Sequence, residues 1–158
     1  MKKIIDIYGH FARFNEMYDI DDSWFGRILV DKNNLFEGIV IDYNGDNKYF
    51  VYGYMFDNSL RVYLCPEDSN MLQKEYDLLK EDEKYEGLCS VVNSTTSIPL
   101  GESRISLLPA DKTREESKEE EQSLKYAIRN VRKNISREAK DMYKKHKLEN
   151  KQKIMVKR

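Results

Sequence analysis

Short runs rich in Tyr, Phe, Val and Ile recur between residues 4 and 109, and turn-forming residues separate them. That spacing predicts an antiparallel β domain. The runs cover residues 4–14, 24–30, 35–43, 49–56, 60–65, 85–93 and 104–108. Asp31-Lys32-Asn33-Asn34 ends the second run and Asn44-Gly45-Asp46-Asn47 ends the third. Asn-Gly favours positive φ and hence a tight hairpin. Asp57-Asn58 parts the fourth run from the fifth, and a stretch holding Pro99 and Gly101 precedes the last.

Alternation within the runs assigns faces, because side chains of a strand alternate at period two. Leu35, Glu37, Ile39, Ile41 and Tyr43 share one face of the third run; Phe36, Gly38, Val40 and Asp42 share the other. Leu60, Val62 and Leu64 oppose Arg61, Tyr63 and Cys65, which predicts the first three as core. The fourth run, Tyr-Phe-Val-Tyr-Gly-Tyr-Met-Phe, is apolar on both faces. Such a strand is covered on both sides, or one side meets a ligand or partner. Phe50, Tyr52, Tyr54 and Phe56, or their opposite-face neighbours, together with Trp24, are the candidate ligand-binding residues. Glycines inside the runs, at 9, 26, 38, 53 and 87, permit bulges and coiling, which favours a closed barrel over a flat sandwich. Residues 67–84 leave three readings open: a short helix, a polar excursion or, over 76–79, a brief strand. Met71, Leu72, Tyr76 and Leu79 have helical spacing in a strongly charged stretch, yet residues 76–79 also fit a brief strand.

The pattern changes after residue 110. Residues 113–150 hold no Pro or Gly and are rich in Glu, Lys, Arg and Leu, which predicts one long helix. Leu124, Ile128, Val131 and Ile135 form a narrow apolar stripe; Met142 keeps its phase, but Glu138 interrupts it. Three uses of the helix follow: packing the stripe on the body, pairing with another helix, or projecting to bind a polyanion. Charge sharpens the choice. Residues 1–109 carry 11 basic and 19 acidic side chains, residues 110–124 carry 3 and 6, and residues 125–158 carry 13 and 3. The formal net charge of −1 on the 158-residue chain therefore hides an acidic body and a basic tail. That asymmetry points to self-contact or to an anionic partner, a protein or other macromolecule. Arg129, Arg132, Lys133, Arg137, Lys140 and Lys144 are the candidate partner-binding residues. Removing residues 113–158 is expected to abolish such binding and leave the barrel folded.

Other chemistry is sparse. There is no phosphate-binding glycine loop, dinucleotide fingerprint or nucleophile elbow. No catalytic residue, metal ligand set or cofactor is predicted. His10 reads as a structural strand histidine and His146 as a solvated one. Asp19, Asp21 and Asp22 read as a solvated loop rather than a cation site. Cys65 and Cys89, in strand-like runs, read as buried reduced thiols. No apolar run approaches the roughly 18 residues that span a bilayer. The basic opening is broken by Asp6, His10 and Arg13 with no small-residue cleavage site, so a cytoplasmic location is expected.

The succession Trp24-x-Gly26, Phe36-Glu37-Gly38, Tyr52-Gly53 and Tyr85-Glu86-Gly87 is similar to the small meandering barrels of the calycin group, which includes lipocalins and avidin-like proteins. The resemblance covers residues 4–109. It implies an up-and-down barrel able to hold one small apolar ligand. The expected architecture is mainly β: a small antiparallel calycin-like barrel over residues 1–110, then a charged helical tail over 111–158. The expected function is non-catalytic binding, through the basic tail or, alternatively, as a small-molecule carrier or sensor. A homodimer is compatible with either.

Overall fold

The structure, a computed structural model, describes residues 2–68, 70–109 and 114–157. Eight strands follow in chain order: β1 (Lys3–Arg13), β2 (Ser23–Val30), β3 (Leu35–Asp42), β4 (Lys48–Phe56), β5 (Ser59–Pro66), β6 (Gln73–Glu81), β7 (Lys84–Val92) and β8 (Ser97–Pro109). Each pairs antiparallel with the next, and β1 pairs with β8, so the sheet closes into the expected up-and-down barrel. An eight-stranded barrel is just wide enough for side chains to fill. Ile7, Ile28, Val40, Val51, Leu60, Val62, Leu64, Leu78 and Ile105 fill this one, all essentially without solvent contact.

The ambiguous stretch resolves as a strand. In β6, Tyr76 and Leu78 point inward and are buried, while Asp77 and Leu79 face solvent. Met71 and Leu72 precede the strand, so their helical spacing with Tyr76 is coincidental. β8 starts earlier than expected and includes Pro99. That residue pairs with Ser90, where the register shifts between Cys89 and Ser90. Proline is tolerated at such an irregularity because one ladder bond is already lost there.

The two ends of the barrel differ. One end has tight turns, with Asn34, Asp57 and Asp82 at positive φ. The other carries longer connections, residues 14–22, 43–47, 67–72 and 93–96, and forms a mouth. Gly45, at φ 78°, turns the second of these. At the mouth, Gly9 on β1 faces Trp24 on β2. A Cβ at residue 9 would lie 2.2 Å from the indole ring, so only glycine leaves room for it.

The tail is two helices, not one: α1 (Arg114–Asn134) and α2 (Arg137–Lys157). Ser136 makes the break. Its hydroxyl oxygen accepts from the Ala139 amide at 3.1 Å and its carbonyl accepts from Lys140 at 3.0 Å, which caps the start of α2. Glu138 interrupts the apolar stripe because it faces out; its carboxylate accepts from the Ser94 amide at 2.7 Å. Ile128, Val131 and Ile135 of the first arm and Ala139, Met142 and Tyr143 of the second are buried.

α1 climbs from the tight-turn end to the mouth end, where Asn134 Nδ2 donates to Glu67 at 3.2 Å. α2 returns and brings Lys153 Nζ 5.9 Å from the Tyr54 ring centroid. Together they cover Leu29, Phe50, Tyr52, Tyr63 and Cys65 on the outer wall. The stripe is thus used on the chain's own barrel. Barrel and helices share this second core, so removing residues 113–158 would bare that part of the outer wall. The boundary expected at residues 110 and 111 lies outside the described residues.

Candidate functional site

The mouth opens on a recess of about 210 Å³. Phe11, Trp24, Tyr49, Leu64 and Tyr76 form its wall, and Asp21, Asp22, Asp42 and Lys74 stand around it. The indole Nε1–H of Trp24 donates to the Tyr76 hydroxyl at 3.2 Å, and the two rings meet edge to face. Both are buried, so this bond fixes the floor of the recess. Asp42 Oδ2 accepts from Asn47 Nδ2 at 2.7 Å and from the Tyr49 hydroxyl at 3.2 Å. Burial first, then the neighbouring Asp42 carboxylate, pushes the Tyr49 hydroxyl well above the usual range, so it stays a donor. Lys74 Nζ lies 5.2 Å from the Phe11 ring centroid. A single 3₁₀ turn (Ile20–Asp22), capped by Asp19, holds the acidic loop at the rim. That loop is exposed, as a solvated loop is, and it also lines the recess.

Of the named ligand residues only Trp24 stands here, lining the mouth, joined by Tyr49, an opposite-face neighbour of Phe50. Phe50, Tyr52, Tyr54 and Phe56 point outward, because β4 turns their neighbours Tyr49, Val51 and Met55 toward the lumen. Phe50 and Tyr52 lie beneath the helices, Tyr54 is half-buried beside Lys153, and Phe56 is 40% exposed. These four residues are therefore not lumen residues. Phe11 and Lys74, which no sequence signal singled out, are, and Met71, read in the sequence only for its helical spacing, joins them at the recess.

Under the helices the outer wall carries its own network. Tyr52 stacks on Tyr63 with centroids 4.9 Å apart, and its hydroxyl lies 2.8 Å from His146 Nδ1. The His146 ring stacks on Tyr63 at 4.4 Å. His146 is thus wedged against the barrel, not solvated as expected. Burial lowers its pKa, reinforced by Lys145 and Arg61 and opposed by Glu149 and Glu75. Nearby, the Glu37 carboxylate accepts from the Tyr143 hydroxyl and from Arg132 Nη1, the latter at 3.2 Å. Lys147 Nζ donates to the Tyr143 hydroxyl at 3.2 Å. These groups face one another across a packed interface, so they serve as a clasp.

His10 is half-buried on the outer face of β1 between Tyr8 and Tyr18. Cys65 lies in the outer core and Cys89 in the inner one, unbonded. Burial pushes their thiols up to about 12 and about 11, which leaves both unreactive. Among the described residues no group of three or more His, Cys, Asp or Glu is placed to hold a metal ion. Among the described residues no helix is long and apolar enough to cross a membrane.

The six candidate cations of the tail divide. Arg132 is half-buried, paired with Glu37 and set over the Phe50 and Tyr143 rings. Lys140 Nζ donates to the Lys133 carbonyl at 2.7 Å and so closes the end of α1. Arg129, Lys133, Arg137 and Lys144 are exposed. No protein-family model, curated protein or solved structure matches this chain. The chemistry of the mouth and of the helical face is therefore what bears on its function.

Proposed function

We propose that this protein is a non-catalytic binding protein of the cytoplasm that engages an anionic macromolecule through the outward face of α1 and α2. One observation carries this reading: the apolar stripe is spent on the barrel, and what remains outward includes Arg129, Lys133, Arg137 and Lys144. Four such contacts to phosphates release counterions, so affinity for duplex DNA should fall about a hundredfold between 50 and 200 mM salt. Fluorescence anisotropy with a labelled duplex and with labelled polyglutamate tests this and separates the two kinds of polyanion. The combined variant Arg129→Glu, Lys133→Glu, Arg137→Glu and Lys144→Glu leaves the buried stripe untouched and should abolish binding. Undiminished binding by that variant would refute the helical face as the interaction surface.

The recess favours a second reading, a small-molecule carrier or sensor. A closed eight-stranded meander with an aromatic mouth is the arrangement calycin-like barrels use to hold one ligand, although fold alone fixes no function. A native mass spectrum of the protein purified at low salt should show one small adduct per chain; a chain that stays bare argues against this reading.

A further inference from the structure

We propose that the recess at the barrel mouth takes a small organic cation, a primary or quaternary ammonium about the size of choline or benzylamine. This rests on the reading of the mouth as a ligand site. Size sets the first limit. A volume of about 210 Å³ holds several waters or one such molecule and is too small for a long-chain lipid. The lumen below offers no extension, because Trp24 and Tyr76 close the floor and buried aliphatic side chains fill the rest.

Charge sets the second limit. Three carboxylates, Asp21, Asp22 and Asp42, stand against one ammonium, Lys74. The balance favours a cation and repels an anion. Asp42 is held in place by two donors, so its charge is oriented before a ligand arrives. No residue of α1 or α2 lines the recess, and Arg132 is committed to Glu37 on the outer wall.

The wall sets the third limit. Phe11, Trp24 and Tyr49 line the recess, and the face of an aromatic ring attracts a cation within about 6 Å of its centroid. The molecule already makes one such contact here, between the Lys74 ammonium and the Phe11 ring. Lys74 thus acts as an internal occupant of part of the site, and an incoming ammonium competes with it.

The test uses a property of the chain: Trp24 is its only tryptophan, so indole emission reports on the mouth alone. Choline and benzylamine are titrated against the full chain, with benzyl alcohol and benzoate as the neutral and anionic controls. The two ammonium compounds should shift Trp24 emission saturably and the controls should not. Lys74→Gln removes the competing charge and should tighten ammonium binding by about threefold to tenfold. Asp21→Asn with Asp22→Asn, both at exposed positions, should weaken it by about tenfold. Benzyl alcohol binding as tightly as benzylamine, or Lys74→Gln weakening the ammonium, would overturn the cation assignment and leave the mouth a ligand site. Silence of Trp24 toward all four compounds, in a chain with an unchanged circular dichroism spectrum and melting transition, would overturn both.

Discussion

The outer wall of the barrel is two different surfaces. Across β2 to β5 it is aromatic and aliphatic, and α1 and α2 bury it. Across β6 to β8 it is open. At the margin Arg61 of β5 pairs with Asp77 of β6 at 2.9 Å, farther round Arg104 pairs with Glu86 at 2.7 Å, and Leu79, Leu88 and Leu108 stand singly in solvent. Below Lys74 at the mouth the inner face is one apolar core, so the difference is made by the outward positions. A strand that is apolar on both faces reports a second layer, whereas a strand with charged outward positions reports solvent.

That contrast is open to direct attack. Phe50→Ala should cost about 3–5 kcal/mol, because the ring is fully buried between the wall and the helices. Leu88→Ala, at 39% exposure on the open half, should cost under about 1 kcal/mol. Urea unfolding measures both, and similar costs would mean that the helices do not seal the wall. A smaller effect sharpens the comparison. Tyr143→Phe deprives half-buried Glu37 of a hydroxyl donor and should cost about 1–2 kcal/mol. Arg104→Ala breaks an ion pair on the open half and should cost at most about 1 kcal/mol.

The smallest effect is one of pH. Both histidines are held below their ordinary pKa of 6.5, His146 under the helices and His10 on β1, each chiefly by burial. The unfolded chain therefore takes up protons first as pH falls through 6.5. Stability is full above that value and declines as the pH drops toward the folded pKa values. Thermal melting between pH 7.5 and 5 should show this decline, and His146→Gln should flatten part of it. An unchanged slope in that variant would mean that His146 is not desolvated by its contact with Tyr63.

The strands were legible because inward positions are apolar at period two, and Leu60, Val62 and Leu64 lie where that rule puts them. β6 was not, because only Tyr76 and Leu78 carry its pattern; the positions facing the open half are charged or placed at random with respect to it. The apolar character of β4 on both faces signalled a cover but not its identity, so Phe50 and Tyr52 read as lumen residues when the helices are what they meet. The break in the tail left a trace in the sequence, because Glu138 interrupts the stripe two residues after Ser136, which caps α2. An interruption in a narrow stripe reads as a weak stripe unless the cap is weighed with it. The recess itself was the least legible feature. Phe11, Trp24, Tyr49 and Lys74 come from four strands, and nothing local to any one of them announces their meeting.

Closure of the barrel has a kinetic consequence. The seam joins Ile5 to Pro109 and Arg13 to Gly101, residues roughly a hundred positions apart in the chain. Seven hairpin pairings can zip from neighbour to neighbour, but the last cannot form until the whole meander exists. Until then β1 and β8 both present unpaired backbone edges, and the aromatic outer wall of β4 and β5 awaits helices that follow it in the chain. Folding should be slow for a chain of this length. Its vulnerable species is the nearly complete sheet, open at one seam and bare on one side, and that species is the one expected to self-associate when refolding is attempted at high concentration.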